Sequence, residues 1–137
     1  MTPPAVERYF AAVNAEDWAA IREVFAPDAV LVSVGAPTRK GRDEIAAHFP
    51  QVLAALPVHH DEVTRVAVAG HVVTVEIRFE GRTADGRDVG FDAVDVFDLG
   101  PDGTTIEMLS TWYDTAGVAR QVRGDGAERS STRRDRA

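Results

Sequence analysis

The segment Gly90-Phe91-Asp92-Ala93-Val94-Asp95-Val96-Phe97-Asp98-Leu99 alternates with period two and carries acid on both of its faces. Side chains of a strand point to opposite sides in turn, which puts Phe91, Ala93, Asp95, Phe97 and Leu99 together. Asp95 thus stands in the middle of an apolar row. On the other face Asp92 and Asp98 lie towards the ends, where water is more easily reached. A carboxylate taken out of water without a partner is costly, and it escapes by protonation or by a strong hydrogen bond. Spacing alone leaves two readings of Asp95: an acid with chemistry attached, or one satisfied by backbone amides or at a sheet edge.

Outward from this segment, the pattern from Val58 to Asp114 keeps period two and is punctuated by Ala69-Gly70-His71, Ala84-Asp85-Gly86 and Gly100-Pro101-Asp102-Gly103. These turn signals divide it into strands near 59–68, 72–82, 88–99 and 104–114, connected as hairpins and therefore antiparallel. The N-terminal half reads differently. After Pro3-Pro4, which suit a helix start, Val6, Tyr9, Phe10 and Val13 recur at i, i+3, i+4, i+7. Asn14 to Asp17 offer caps for a second helix carrying Trp18, Ile21 and Phe25, ended by Pro27-Asp28. The β-branched run Ala29–Val34 predicts a strand containing Ser33. A third helix opens at Arg42-Asp43-Glu44, turns Ile45, His48, Phe49 and Val52 to one side, and is stopped by Pro57. Helices followed by a curved antiparallel meander make an α+β fold, with the helices on one face of the sheet and an interior able to hold a ligand.

At 137 residues the chain makes one domain with a real core. It has no cysteine, which excludes disulfides and thiolate chemistry. Fifteen basic residues against 22 acidic ones, a net charge of −7, argue against a nucleic-acid partner. No stretch is apolar enough to span a bilayer and no secretory pattern opens the chain, so a cytoplasmic protein without a membrane partner is expected. The domain is expected to end near residue 121. The arginine-rich, apolar-poor segment 122–137 reads as a disordered tail.

Several side chains invite a chemical reading beside a structural one. Tyr9 lies within an apolar helical stripe, so its ring should be buried and its hydroxyl should seek a partner. His48 faces inward, as a satisfied core residue or as a base. His59-His60-Asp61-Glu62 looks like a metal cluster, but neighbouring strand residues point to opposite faces and cannot readily share one ion. Thr111-Trp112-Tyr113-Asp114 closes the last strand with two aromatics and an acid. Alternation separates Trp112 and Asp114 from Tyr113, so one set faces the interior. No phosphate loop, dinucleotide fingerprint or GxSxG elbow is present, and no cofactor or metal is expected.

The order of elements, with Phe25–Val30, Gly41–Phe49, Phe91–Leu99 and Thr111–Asp114, resembles the SnoaL-like and ketosteroid isomerase-like family of the nuclear-transport-factor-2-like superfamily. The likeness spans about residues 5 to 120 and implies a cone-shaped sheet with N-terminal helices on its concave face. It also implies a homodimer formed through the outer sheet face. By resemblance, Tyr9 is similar to the isomerase's oxyanion-hole tyrosine, and Asp95 to the acid beside it, which stays protonated at neutral pH and donates a hydrogen bond. The isomerase's general base falls on Ser33 here, and a serine hydroxyl cannot remove a proton unaided. His48 or Asp114 then becomes the candidate base, with Ser33, Phe49, Phe91, Trp112 and Tyr113 as candidate substrate contacts. The Asp-Arg-Asp set of epoxide hydrolases on this scaffold is not matched, since Arg78 shows no paired acids in sequence. The expected activity is a cofactor-independent isomerase or cyclase acting on an apolar, polyketide- or steroid-like carbonyl compound. The scaffold also carries non-catalytic binding and dimerisation modules, which is the alternative.

Overall fold

The computed structural model describes residues 1–125. Helix α1 (Pro4–Ala15) buries Val6, Tyr9, Phe10 and Val13, the predicted stripe, and starts with proline in its first turn. It ends on Glu16 in the left-handed conformation, with φ 55°. Helix α2 (Trp18–Val24) is capped by Asp17, whose side chain accepts from the Ala20 N–H at 3.1 Å. Strand β1 (Phe25–Ser33) follows at once and is longer than the β-branched run alone implies. A short β2 (Arg39–Lys40) leads into α3 (Arg42–Val52), which buries Ile45, His48 and Phe49.

The second half is the meander: β3 (Val58–Ala69), β4 (Val72–Arg82), β5 (Asp88–Leu99) and β6 (Ile106–Tyr113). These four strands fall within a few residues of the predicted limits. The six strands form one sheet in the order β2-β1-β6-β5-β4-β3. All neighbours are antiparallel except β1 and β6, which run parallel with Leu31 opposite Leu109. That pairing makes the sheet mixed, and it joins the helical half of the chain to the meander. Irregular register at Val63/Arg65, Asp98/Leu99 and Phe25/Val30 accompanies the curvature.

Alternation decides what each face sees. On β4, Val73, Val75, Ile77 and Phe79 point to the concave side. Val73, Val75 and Ile77 meet Phe10, Ile21, Phe25, Phe97 and Leu109 in the principal core beneath the helices. Burying one side chain such as Phe97 contributes about 1.5–3 kcal/mol, so this face dominates stability. A second, smaller cluster gathers Leu56, Phe79, Val89 and Phe91.

The chain past Tyr113 differs from expectation. Asp114 caps a fourth helix, α4 (Thr115–Arg123), accepting from the Gly117 N–H at 2.9 Å. Gln121 is buried and holds the backbone of Gly90 from both sides, accepting from its N–H at 2.8 Å and donating to its carbonyl at 3.1 Å. Val122 and Arg123 of the expected tail are thus the last turn of a docked helix, whose Val118 and Val122 pack on the second cluster. Residues 126–137 of that expected tail lie outside the described residues. No helix among the described residues is long and apolar enough to cross a membrane.

Candidate functional site

A cavity of about 150 Å³ lies between the principal core and the second cluster and draws its walls from both. Its lining is mostly apolar: Val13, Leu31, Phe49, Ile77, Phe79 and Phe91 are among the contributors. Val52, Leu53 and Val118, at the end of α3 and on α4, stand at its more exposed rim. Into this setting project Tyr9, Ser33, His48, Asp61, Asp95, Thr111 and Tyr113.

Tyr9 is held by its ring, edge-on to Phe10, Phe25, Phe49 and Phe97 with centroids 4.9–6.0 Å apart. Such packing fixes the phenol where α1 places it. Burial pushes its pKa well above the usual range, and the carboxyls of Asp95 and Asp61 act in the same direction. The hydroxyl is therefore a donor, never a phenolate, at physiological pH.

Asp95 is 4% exposed, and its Oδ1 has no hydrogen-bond partner among the described residues. Burial pushes its carboxyl up to about 7. A hydrogen bond from Thr111, its register partner on β6, opposes that rise, while the Asp61 charge reinforces it. An unpartnered oxygen on a buried acid is a vacancy in the hydrogen-bond account of the cavity wall.

His48 is buried against Phe49, ring to ring at 5.4 Å, and its Nδ1 is likewise unpartnered. Burial, then the charge of Arg39, holds it down to about 4. It is a neutral imidazole at physiological pH but a feeble base. Ser33 is buried and offers only its hydroxyl. Phe49 and Phe91 line the cavity wall. Phe91 stacks between Phe79 at 4.6 Å and Tyr113 at 5.1 Å.

One expected contact and one candidate base lie elsewhere. Trp112 is 48% exposed on the outer face, because Tyr113 takes the inward position opposite Ala93. Asp114 is an exposed helix cap outside the cavity, its carboxylate occupied by the Gly117 N–H. Arg78, read as lacking paired acids, in fact bonds Glu80 at 3.1 Å and Asp92 at 3.4 Å on the outer face. The missing information was cross-strand: register sets Arg78 opposite Asp92.

The residue missed by sequence reasoning is Asp61. On β3 it shares a face with His59, not with His60, and that face is the concave one. Asn14 at the end of α1 grips its backbone, accepting from the Asp61 N–H at 2.8 Å and donating to its carbonyl at 3.0 Å. His59 is occupied by Glu16 at 3.0 Å. Alternation within 59–62 was the available signal for the facing of Asp61; its meeting with Tyr9 and Asp95 has no local signature.

Comparison with known proteins agrees with this architecture. The family model described as SnoaL-like domain matches residues 6–108. A Catenulispora acidiphila protein with a ketosteroid isomerase-like fold, solved in complex with trimethylamine, is 22% identical. It superposes with a TM-score of 0.81 over 90% of this chain and 95% of its own. A SnoaL-like polyketide cyclase of Jannaschia sp. CCS1 gives 19% identity and a TM-score of 0.78, over 90% and 91% of the two chains. SalBIII, an epoxide hydrolase/cyclase-like enzyme of pyran ring formation in salinomycin, is 28% identical. Its TM-score is 0.71, over 82% of this chain and 89% of its own. No curated protein matches the chain.

Proposed function

The chain belongs to the SnoaL-like domain family, and on that premise we propose a cofactor-independent isomerase or cyclase that acts on a carbonyl compound by stabilising its enol or enolate form. One observation carries this reading: Asp95 is buried beside Tyr9 in the wall of an apolar cavity, with a carboxyl oxygen that nothing among the described residues satisfies. Burial keeps both groups protonated up to neutral pH, so both can donate to one substrate oxygen. Fixed donors aimed at developing negative charge are commonly the largest catalytic contribution, and losing one costs about 10²–10³ in turnover.

The size of the cavity narrows the substrate. A space of about 150 Å³ holds a molecule the size of benzene. A single-ring ketone fits whole. A polyketide- or steroid-like molecule enters by one ring, the remainder lying across the rim at Val52, Leu53 and Val118. Epoxide opening by an Asp-Arg-Asp set is disfavoured, since Arg78 is engaged on the opposite face of the sheet.

The test is exchange of the α-protons of cyclopentanone in D₂O, followed by proton NMR. Tyr9→Phe and Asp95→Ala should each slow the enzyme-dependent exchange about 10²–10³-fold. Rates equal to wild type would remove the donor role.

A binding-only reading has its own support. Phe79, Phe91 and Tyr113 stack along one wall, Asp61 and Asp95 line the same space, and no arginine or lysine does so among the described residues. Aromatic faces and carboxylates suit a small organic ammonium ion, and trimethylamine is what the Catenulispora protein was solved with. The two readings predict opposite pH dependence. Trimethylammonium should bind more tightly as pH rises through about 7 and Asp95 ionises, whereas an oxyanion ligand should weaken. A homodimer through the outer face, where Met108 and Trp112 are exposed, belongs to the same proposal and is measured by light scattering.

A further inference from the structure

Enol stabilisation needs a group to take a proton, and the cavity offers few. The Ser33 hydroxyl is far too weak a base at neutral pH to take a proton from carbon. His48 is held too low to compete for a carbon-bound proton. Asp114 is a helix cap outside the cavity. Asp61 is left, a half-buried carboxyl on the concave face of β3.

Its placement is built, not incidental. β3 is an edge strand, so the outward backbone groups of Asp61 have no neighbouring strand to pair with. Asn14 supplies both missing bonds, at 2.8 and 3.0 Å, and so fixes the strand against the end of α1, the helix that carries Tyr9. The charged and titratable groups on the side of Asp61 are Tyr9 from α1, His48 from α3, Asp95 from β5 and His59 on its own strand, while His60, on the opposite face, acts on it only through its charge. Glu16 reaches the set through its contact with His59.

We infer that Asp61 is the proton acceptor of this site, removing the α-proton of a bound carbonyl compound while Tyr9 and Asp95 hold its oxygen. The inference rests on the enol-stabilising reading above. In the step, a C–H bond of the substrate breaks and an O–H bond to Asp61 forms. The C–H electron pair becomes the enolate double bond, and the carbonyl π pair moves to the oxygen held by the two donors. In an isomerisation Asp61 returns the proton to a different carbon. In a cyclisation the enolate carbon attacks a second carbonyl of the same molecule, and Asp61 protonates the alkoxide that results. Either route restores the carboxylate and consumes nothing else.

The division of labour follows from environment. Burial pushes both acids up, Asp95 to about 7 and Asp61 to about 6, with His59 and His60 restraining the latter. Asp61 therefore ionises first, and its charge helps Asp95 keep its proton. Two acids whose surroundings separate their proton affinities are suited to opposite roles.

The experiment pairs cyclopentanone α-proton exchange with binding of 4-fluorophenol, an oxygen ligand for the two donors, followed by ¹⁹F NMR. Asp61→Asn should lose at least about 10²-fold in exchange rate while binding 4-fluorophenol as well as wild type or better, because a neighbouring negative charge is gone. Added formate should restore exchange to Asp61→Ala. Wild-type exchange should rise with pH through about 6 and fall above about 7, and the rise should be absent in Asp61→Asn. Wild-type exchange rates in Asp61→Asn, with Tyr9→Phe and Asp95→Ala still impaired, would overturn the role of Asp61 and leave the donor reading standing. Loss of fluorophenol binding together with exchange in Asp61→Asn would make the residue structural and overturn the inference too. Wild-type protein that exchanges no protons and binds no fluorophenol would sink the donor reading itself, and this inference with it.

Discussion

Asp92 and Asp95 stand on the same strand and point to opposite faces of the sheet. Asp92 has a cation: Arg78 donates to it at 3.4 Å and to Glu80 at 3.1 Å. Asp95 faces rings and aliphatic carbons, with a hydrogen bond from the Thr111 side chain and an oxygen that no other described residue reaches. The outer acid is neutralised by a neighbouring charge and the inner acid by its own proton. An acid neutralised by a cation is spent as a donor. One neutralised by a proton still has that proton to offer to a ligand, whereas the outer acid is already bound into an ion pair.

The largest expected effect comes from destroying the inner arrangement. Asp95→Ala should cost about 10²–10³ in turnover. Asp95→Asn, which keeps a donating group, should cost less. Kinetics on any ketone that shows wild-type exchange will order the two.

Next is stability against pH. The folded chain holds the Asp95 proton more tightly than the unfolded chain, so native stability falls as pH rises from about 4 to about 7. Above that window Asp95→Asn should be more stable than wild type by about 2–4 kcal/mol, and near pH 4 the two should converge. His48 acts with the opposite sign: held below its unfolded value, it contributes stability above about 6.5 that is lost as pH falls towards 4. Urea denaturation at pH 4, 6 and 8 separates the contributions. An Asp95→Asn advantage that does not change with pH would break the comparison between the faces.

The outer face should respond to charge removal in the opposite way. Arg78→Met leaves Glu80 and Asp92 without their shared cation, and should destabilise the fold by about 1–3 kcal/mol with turnover retained. Asp92→Asn is the smallest effect, under about 1 kcal/mol, because that acid is 29% exposed and its ion pair is partly in water. A loss of turnover in either variant would mean that the outer face takes part in the site.

Much of this molecule was legible in the chain because strand alternation and helical periodicity are local. Asp95 could be assigned to the apolar side of its strand from Phe91, Ala93 and Phe97 alone, and Tyr9 to the buried stripe from Val6, Phe10 and Val13. Both lie in the cavity wall. The choice between Trp112 and Tyr113 waited on register, since alternation separates the two without saying which faces in. Helix α4 escaped notice because its apolar residues are few: its docking rests on Gln121 bonded to Gly90 and on Arg87 donating to the Val122 carbonyl, contacts between segments far apart in sequence.

By itself, then, the sequence determined the α+β layout, the limits of the four meander strands to within a few residues and the facing of Asp95, because these depend on neighbours within a turn or a few strand residues. Only the tertiary structure decided which acids share a cavity. Asn14 and Asp61 lie 47 residues apart, and their backbone clamp forms only when α1 closes over the edge of β3. That closure brings the Tyr9 phenol within the field of two carboxyls, and burial raises the proton affinity of both, that of Asp95 further than that of Asp61.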